Sequence, residues 1–346
     1  MSKEIKSDDS IVMLAEWERQ SAIQLTWPHK DTDWQPILDK ITSTYIELVR
    51  AISAYEKIII IAPDIKDVKN CISQAIPDIN HNHIDYLQCE TDDTWARDHG
   101  FISLRSDKDT YYVDFKFNGW GDKFPAAKDN AINKALYHTG MLKGTYIDHL
   151  DFVLEGGSIE SDGKGTVFTT TGCLMAPNRN QPLYKDELEE RLKTYLCAKR
   201  VQWIDHGNLI GDDTDGHIDT LVRIAPDDTL IYVSCDDKTD PHYEGLKKME
   251  HDLQQLRTAE DNKYTLVALP LPDAIYEDGE RLPATYANYL IINGAVIVPT
   301  YAQKEKDKKT MKIIGTIFRD RKIIGVDSRS IIRQHGSIHC CTMQYY

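Results

Sequence analysis

The chain has 346 residues, of which 41% are hydrophobic and 28% charged, and it carries a net charge of −14. Length and composition fit a soluble globular protein of one large domain or two ordinary ones. The acidity argues against nucleic acid and anionic membranes as partners, and no apolar run approaches the ~20 residues of a membrane helix.

In chain order, the opening MSKEIKSDDS lacks the apolar core of a signal peptide, so a cytoplasmic location is expected. Residues 33–55 predict a helix, with Asp33 at its N-cap and Ile37, Ile41, Tyr45, Leu48 and Ile52 on one stripe. KIIIIA (57–62) and YYVDFKF (111–117) read as strands, 129–139 as a helix, TVFTT (166–170) as a strand after an Asp162-Gly163 turn, and 183–196 as a helix. LVRI (221–224) and LIYV (230–233) are joined by a turn through APDD; a helix at 243–257 and the strand YTLVAL (264–269) follow. YLII (289–292) and AVIVP (295–299) flank Asn293-Gly294, a strong hairpin signal. KEKDKK (304–309) is a solvated loop or a helix start. Hairpins alternating with helices predict α/β units in mixed sheets rather than a doubly wound parallel sheet. No glycine-rich nucleotide loop follows a strand, and no Gly-, Pro- or Ser-rich linker divides the chain. One domain over residues 1–346 is expected.

Four stretches concentrate reactive side chains. TDDTWARDHG (91–100) crowds Asp92, Asp93, Asp98, Trp95 and Arg97 together. An aromatic face beside carboxylates suits a cation; the plain alternative is a polar loop in which Asp98 pairs Arg97 or caps a turn. LEGGS (154–158) sets Glu155 before two glycines, which allow close backbone approach to a ligand or simply a tight turn. GDDTDGHID (211–219) lies between strand-like flanks, and a strand starting near His217 would put His217 and Asp219 on one face. That pair suits metal binding or proton transfer; a structural histidine beside an acidic loop is the alternative, and EF-hand ligand order is lacking. HGSIHCCT (335–342) carries two adjacent cysteines behind a glycine turn. Neighbours on an extended chain face opposite ways, so if Cys340 faces a cleft as a nucleophile, Cys341 belongs to the core. The seven cysteines, odd in number and without a CxxC pair, argue against a disulfide framework or a zinc-thiolate site.

Together these stretches resemble the agmatine deiminase family, on the peptidylarginine deiminase-like branch of the guanidino-group-modifying superfamily, nearly end to end. AEWERQSAIQLTWPHKDTDW (15–34) is similar to the family's opening and TDDTWARDHG to its Trp-x-Arg-Asp motif. LEGGSIESDGKGTVFTTTGCLMAPNRN (154–180), GDDTDGHID, ATYANYLIINGAVIVPTY (284–301) and GSIHCCTMQ (336–344) follow in the family's order. The resemblance implies an α/β pentein fold: a five-bladed ββαβ propeller with pseudo-fivefold symmetry and a central active-site channel. It also implies no metal, no organic cofactor, a small cationic guanidine substrate and a homodimer. Carried over by motif, Cys340 is the nucleophile, His217 the general acid and base, and Asp98, Glu155 and Asp219 the site's acids. Trp95 is a channel wall and Asn288 stands near the site. Asp92, Asp212, Asp213 and Asp215 are unranked acceptors for the substrate's distal amine. The chain departs from the family pattern at Phe101, where Pro is usual, at Asp215 and Ser337, where Asn is usual, and at His335, where Gly is usual. These departures bear on fine substrate choice rather than on chemistry.

The chemistry implied is hydrolysis of agmatine to N-carbamoylputrescine and ammonia. A guanidinium is planar, offers donors in a fixed fork and has a pKa above about 12. Asp98 and Asp219 can grip its N–H edges, and Cys340 can attack its carbon as thiolate. The thiol pKa must fall from about 8.5, or the bound cation must assist deprotonation. His217 would protonate the leaving nitrogen and then activate water, with Glu155 orienting and charging it. The alternatives are a deiminase of peptidyl-arginine or free arginine, a metal-dependent hydrolase using His217, Asp219, Asp98 and Glu155, and a silent amine-binding protein.

Overall fold

The computed structural model describes residues 10–346; the segment 1–9, which carries most of the signal-peptide reading, lies outside the described residues. Five separate sheets repeat one pattern: an antiparallel strand pair, then a helix, then a strand returning parallel to the second of the pair. In the first, Thr342–Tyr345 pairs antiparallel with Ala22–Thr26, and the helix Leu38–Ser53 leads to the parallel strand Lys57–Ala62. This sheet brings the end of the chain beside its beginning, and a further helix, Ile65–Ala75, adds the strand Ile84–Gln88. The second is built from Ile102–Arg105, Thr110–Lys116 and Thr145–Val153, the third from Ile159–Ser161, Thr166–Thr170 and Arg200–Ile204. The fourth uses Val222–Ala225, Thr229–Ser234 and Thr265–Pro270, and the fifth Leu290–Ile292, Ala295–Thr300 and Lys322–Asp327. The architecture is therefore mixed α/β, and the described strands form no closed sheet.

The strand Lys57–Ala62 explains its own sequence. Ile58 and Ile60 pack with Ile41, Tyr45, Leu48 and Ile52 of the first helix, while Ile59 and Ile61 pack on the other side with Phe101, Ile102 and Leu104. A strand covered on both faces reads as an unbroken apolar run. The apolar stripe of the first helix is thus confirmed from Ile41 to Ile52. Asp33 is not its cap: a short 3-10 turn, Gln35–Ile37, intervenes, and no side chain caps either start. Asn293-Gly294 makes the expected tight turn, with Ile292 paired to Ala295. KEKDKK proves to be the opening of the helix Lys304–Ile317.

Candidate active site

Three short turns converge on one point. Asp98 sits in the single helical turn Ala96–His99, Glu155 leads into the turn Gly156–Ser158, and His217 leads into the turn Ile218–Thr220, which carries Asp219. The strand begins only at Val222, so His217 and Asp219 do not share a face of a pleat as expected. Asp212 folds the loop instead, accepting from the amides of Thr214 and Gly216 at 3.1 and 2.7 Å, and Gly216 adopts a φ of +89°. Gly157 lies where the turns meet. A Cβ there would stand 2.6 Å from His217 Nδ1, 2.8 Å from Asp98 Oδ1 and 3.2 Å from Asp219 Oδ2, so only glycine permits the convergence.

The Asp98 carboxylate is buried and doubly held: Trp120 Nε1 donates to Oδ2 and the Gly157 amide to Oδ1, each at 3.0 Å. Arg97 does not pair with it and donates to the His339 carbonyl. His217 Nδ1 lies 3.6 Å from Asp98 Oδ1, and neither ring nitrogen has a hydrogen-bond partner. Asp219 Oδ2 accepts from His339 Nδ1 at 2.7 Å, while its Oδ1 is buried without a partner. Cys340 Sγ lies 3.3 Å from Asn288 Oδ1 and 3.8 Å from Asp219 Oδ2. Asn288 also accepts from the Cys340 amide and donates to the Asp219 carbonyl, tying the two turns together. Cys340 and Cys341 part company within a turn rather than along an extended strand; Cys341 packs in the core with Tyr45 and Ile338.

Glu155 keeps its expected effect of charge on His217 but not the orienting hydrogen bond. Arg179 Nε donates to both its oxygens at 3.0 and 3.2 Å, both side chains are fully buried, and no hydrogen bond joins Glu155 to His217. Arg179 continues to Asp215 at 2.7 Å and to the Thr214 carbonyl. Among the described residues, the ligand atoms of His217, Asp219, Asp98 and Glu155 do not gather within 4.8 Å of one another as a metal-hydrolase set would; Glu155, His217 and Cys173 do.

Burial sets the electrostatics. It pushes Asp98 up to about 6, His217 opposing and Asp219 and Glu155 adding. Burial also resists charge on His217, but its neighbours, Asp98 foremost, hold its pKa well above the ordinary imidazole range. The two groups thus favour each other's charged form, imidazolium beside carboxylate. Asp219 is held below the usual carboxylate range despite burial, chiefly by the hydrogen bond from His339. The Cys340 thiol is pushed far up by burial, then by Asp219 and Asp98.

A cavity of about 160 Å³ opens onto this cluster and is lined by Asp98, Cys340, Trp95, Trp120 and Phe124. Three further carboxylates line it: Asp33, Asp93 and Asp213. Burial pushes Asp93 up to about 6 and also raises Asp213. Of the unranked acids, only Asp213 lines the cavity. Asp92 accepts from the Lys128 amide at the start of the helix Ala127–His138, Asp212 shapes its own loop, and Asp215 is paired with Arg179 and Lys123. Sequence reasoning missed Asp33, Trp120 and His339 as members of this neighbourhood. The only signal for Trp120 was its place between two glycines; all of residues 119–122 adopt positive φ.

A sequence profile of Porphyromonas-type peptidyl-arginine deiminases matches residues 12–345. A structure from Porphyromonas gingivalis, provisionally named an arginine deiminase, is 45% identical with a TM-score of 0.91, over 97% of this chain and 98% of that one. A cysteine-to-serine variant of C. jejuni agmatine deiminase with substrate bound is 36% identical with a TM-score of 0.88, over 97% and 96%. A Marinomonas sp. protein provisionally named agmatine deiminase is 31% identical, over 97% of this chain and 94% of that protein. The chain belongs to the Porphyromonas-type peptidyl-arginine deiminase family, the family of the agmatine deiminases, and is a hydrolase of guanidino C–N bonds.

Proposed function

We propose that this enzyme hydrolyses agmatine to N-carbamoylputrescine and ammonia through a covalent intermediate on Cys340. One observation carries the choice of substrate: the cavity is lined by the buried Asp98 and by the more exposed carboxylates Asp33, Asp93 and Asp213, with no Lys or Arg among its described lining residues. A ligand with a cation at each end matches that arrangement; the carboxylate of arginine would meet like charge. The substrate-bound C. jejuni agmatine deiminase, a cysteine-to-serine variant, supports the same reading.

Asp98 and the unpartnered Oδ1 of Asp219 take the guanidinium N–H edges and hold its carbon near Cys340 Sγ. The cation offsets the two carboxylates that, with burial, raise the thiol pKa, so substrate binding promotes loss of the thiol proton to solvent and leaves the thiolate. Sulfur adds to the carbon. His217 gives its proton to the departing nitrogen, the C–N bond breaks and ammonia leaves an S-alkylthiouronium on Cys340. Water then adds as His217 takes one of its protons; the C–S bond breaks, the remaining hydroxyl proton passes to the departing sulfur, and a neutral urea product leaves Cys340 as the thiol. Trp95 is a channel wall, Asp213 an acceptor for the distal amine, and Asn288 fixes Cys340. Glu155 acts on His217 through charge, with Arg179 holding it. The proposal extends to the whole molecule: one domain, its five sheets arranged as propeller blades around this cavity, acting in the cytoplasm as a homodimer without metal or cofactor.

Ammonia release from agmatine, free arginine and a peptide ending in arginine tests the reading. Agmatine is expected to lead in kcat/KM by about a hundredfold or more, the scale of a like-charge clash. Equal or better turnover of either arginine substrate would overturn it.

A further inference from the structure

We propose that His339 is a positioning residue for the guanidino chemistry: its Nδ1–H ties one oxygen of Asp219 so that the other stays open to the substrate. The proposal rests on the deiminase reading above and adds a residue which that mechanism leaves unused.

His339 immediately precedes the nucleophile and is buried. Its Nδ1 lies 2.7 Å from Asp219 Oδ2. An ionised carboxylate only accepts, so Nδ1 carries the hydrogen whether the ring is neutral or charged. The far side of the ring is anchored in either state. Nε2 faces an acceptor, Glu16 Oε2 at 2.9 Å, and a donor, Arg223 Nη2 at 3.1 Å. Those anchors are themselves fixed. Glu16 Oε1 accepts from the Ile291 amide at 2.7 Å, and Arg223 binds Glu160, Glu16 and the carbonyls of Ala287 and Tyr289. Arg97 Nε donates to the His339 carbonyl. The ring is therefore clamped between segments around residues 16, 160, 223 and 287–291, and the last of these also supplies Asn288 to Cys340. Asp219 Oδ1, buried and without a partner, is the product of this clamp. An unmet buried acceptor is costly to the free protein and becomes a strong anchor when a cationic N–H reaches it.

Two substitutions separate the ends of the ring. His339→Asn keeps an amide donor near the Nδ1 position and loses contact with Glu16; His339→Gln reaches toward Glu16 and loses the donor to Asp219. With agmatine, His339→Gln is expected to lower kcat/KM about ten- to a hundredfold, mostly through KM, and His339→Asn to recover about tenfold of that loss. Equal kcat/KM in two variants that melt like the native enzyme would overturn the proposal. If His339→Gln does not fold, the native enzyme decides: nitrogen NMR of histidine-labelled protein, assigned against His339→Asn, must show a protonated Nδ1 throughout the active pH range. An unprotonated Nδ1 would overturn it. Absence of agmatine turnover in the native enzyme would strike the proposed function instead, leaving the Nδ1 measurement to judge the clamp.

Discussion

Asp98 must be ionised to hold a cation, yet burial pushes it up to about 6, and Asp93 in the cavity wall is pushed to the same value. Below that pH both become neutral and lose their hold. The profile of kcat/KM for agmatine, which reports the free enzyme, is therefore expected to fall toward acid with an apparent pKa near 6. Stopped assays between pH 5 and pH 8, at about unit spacing, check this; a flat acid side would contradict it. Residue types were legible from sequence where chemistry is demanding: Cys340, His217, Asp98 and Asp219 are brought together, and Trp95 forms a wall. Partnerships were not. Nothing local to Glu155 reveals that Arg179, 24 positions later, occupies its oxygens. Nor does an acidic string reveal that Asp212 and Asp92 satisfy backbone amides while Asp213 reaches the cavity.

At the scale of elements, β-branched apolar runs made strands readable: Lys57–Ala62 and Thr166–Thr170 fall where their patterns put them. The helix Ile65–Ala75 escaped because only Val68 and Ile72 are buried, and its start is marked by Asp64 accepting from the Asp67 amide. The three converging turns carry no periodic signal, since each is three or four residues long. Their glycines were the visible trace, and Gly157 is the most exacting of them. Gly157→Ala is expected to leave melting within a few degrees of native, yet to lower kcat about a hundredfold, because its methyl group must displace His217, Asp98 or Asp219. Activity within a few fold of native would show that the three turns are not held as closely as they stand.

For the whole molecule, hairpins alternating with helices predicted α/β units in mixed sheets, as found, whereas the number five and a ring of units about a channel were expectations of family resemblance alone. The net charge of −14 now has a local counterpart in the acids lining the cavity. A dicationic substrate should be drawn toward such a field, so kcat/KM for agmatine is expected to decline as salt rises across the range where the Debye length shrinks from about 30 to 8 Å. No decline would mean that the acids act only after contact. The central claim is that these carboxylates hold a flat cation while sulfur bonds to its carbon. Acid-quenching the native enzyme during agmatine turnover and weighing the peptide that contains Cys340 tests it most directly. The account predicts the mass of a thiouronium adduct on that peptide, absent from Cys340→Ser. Steady turnover with no adduct on any peptide, or ammonia release retained by Cys340→Ser, would contradict it.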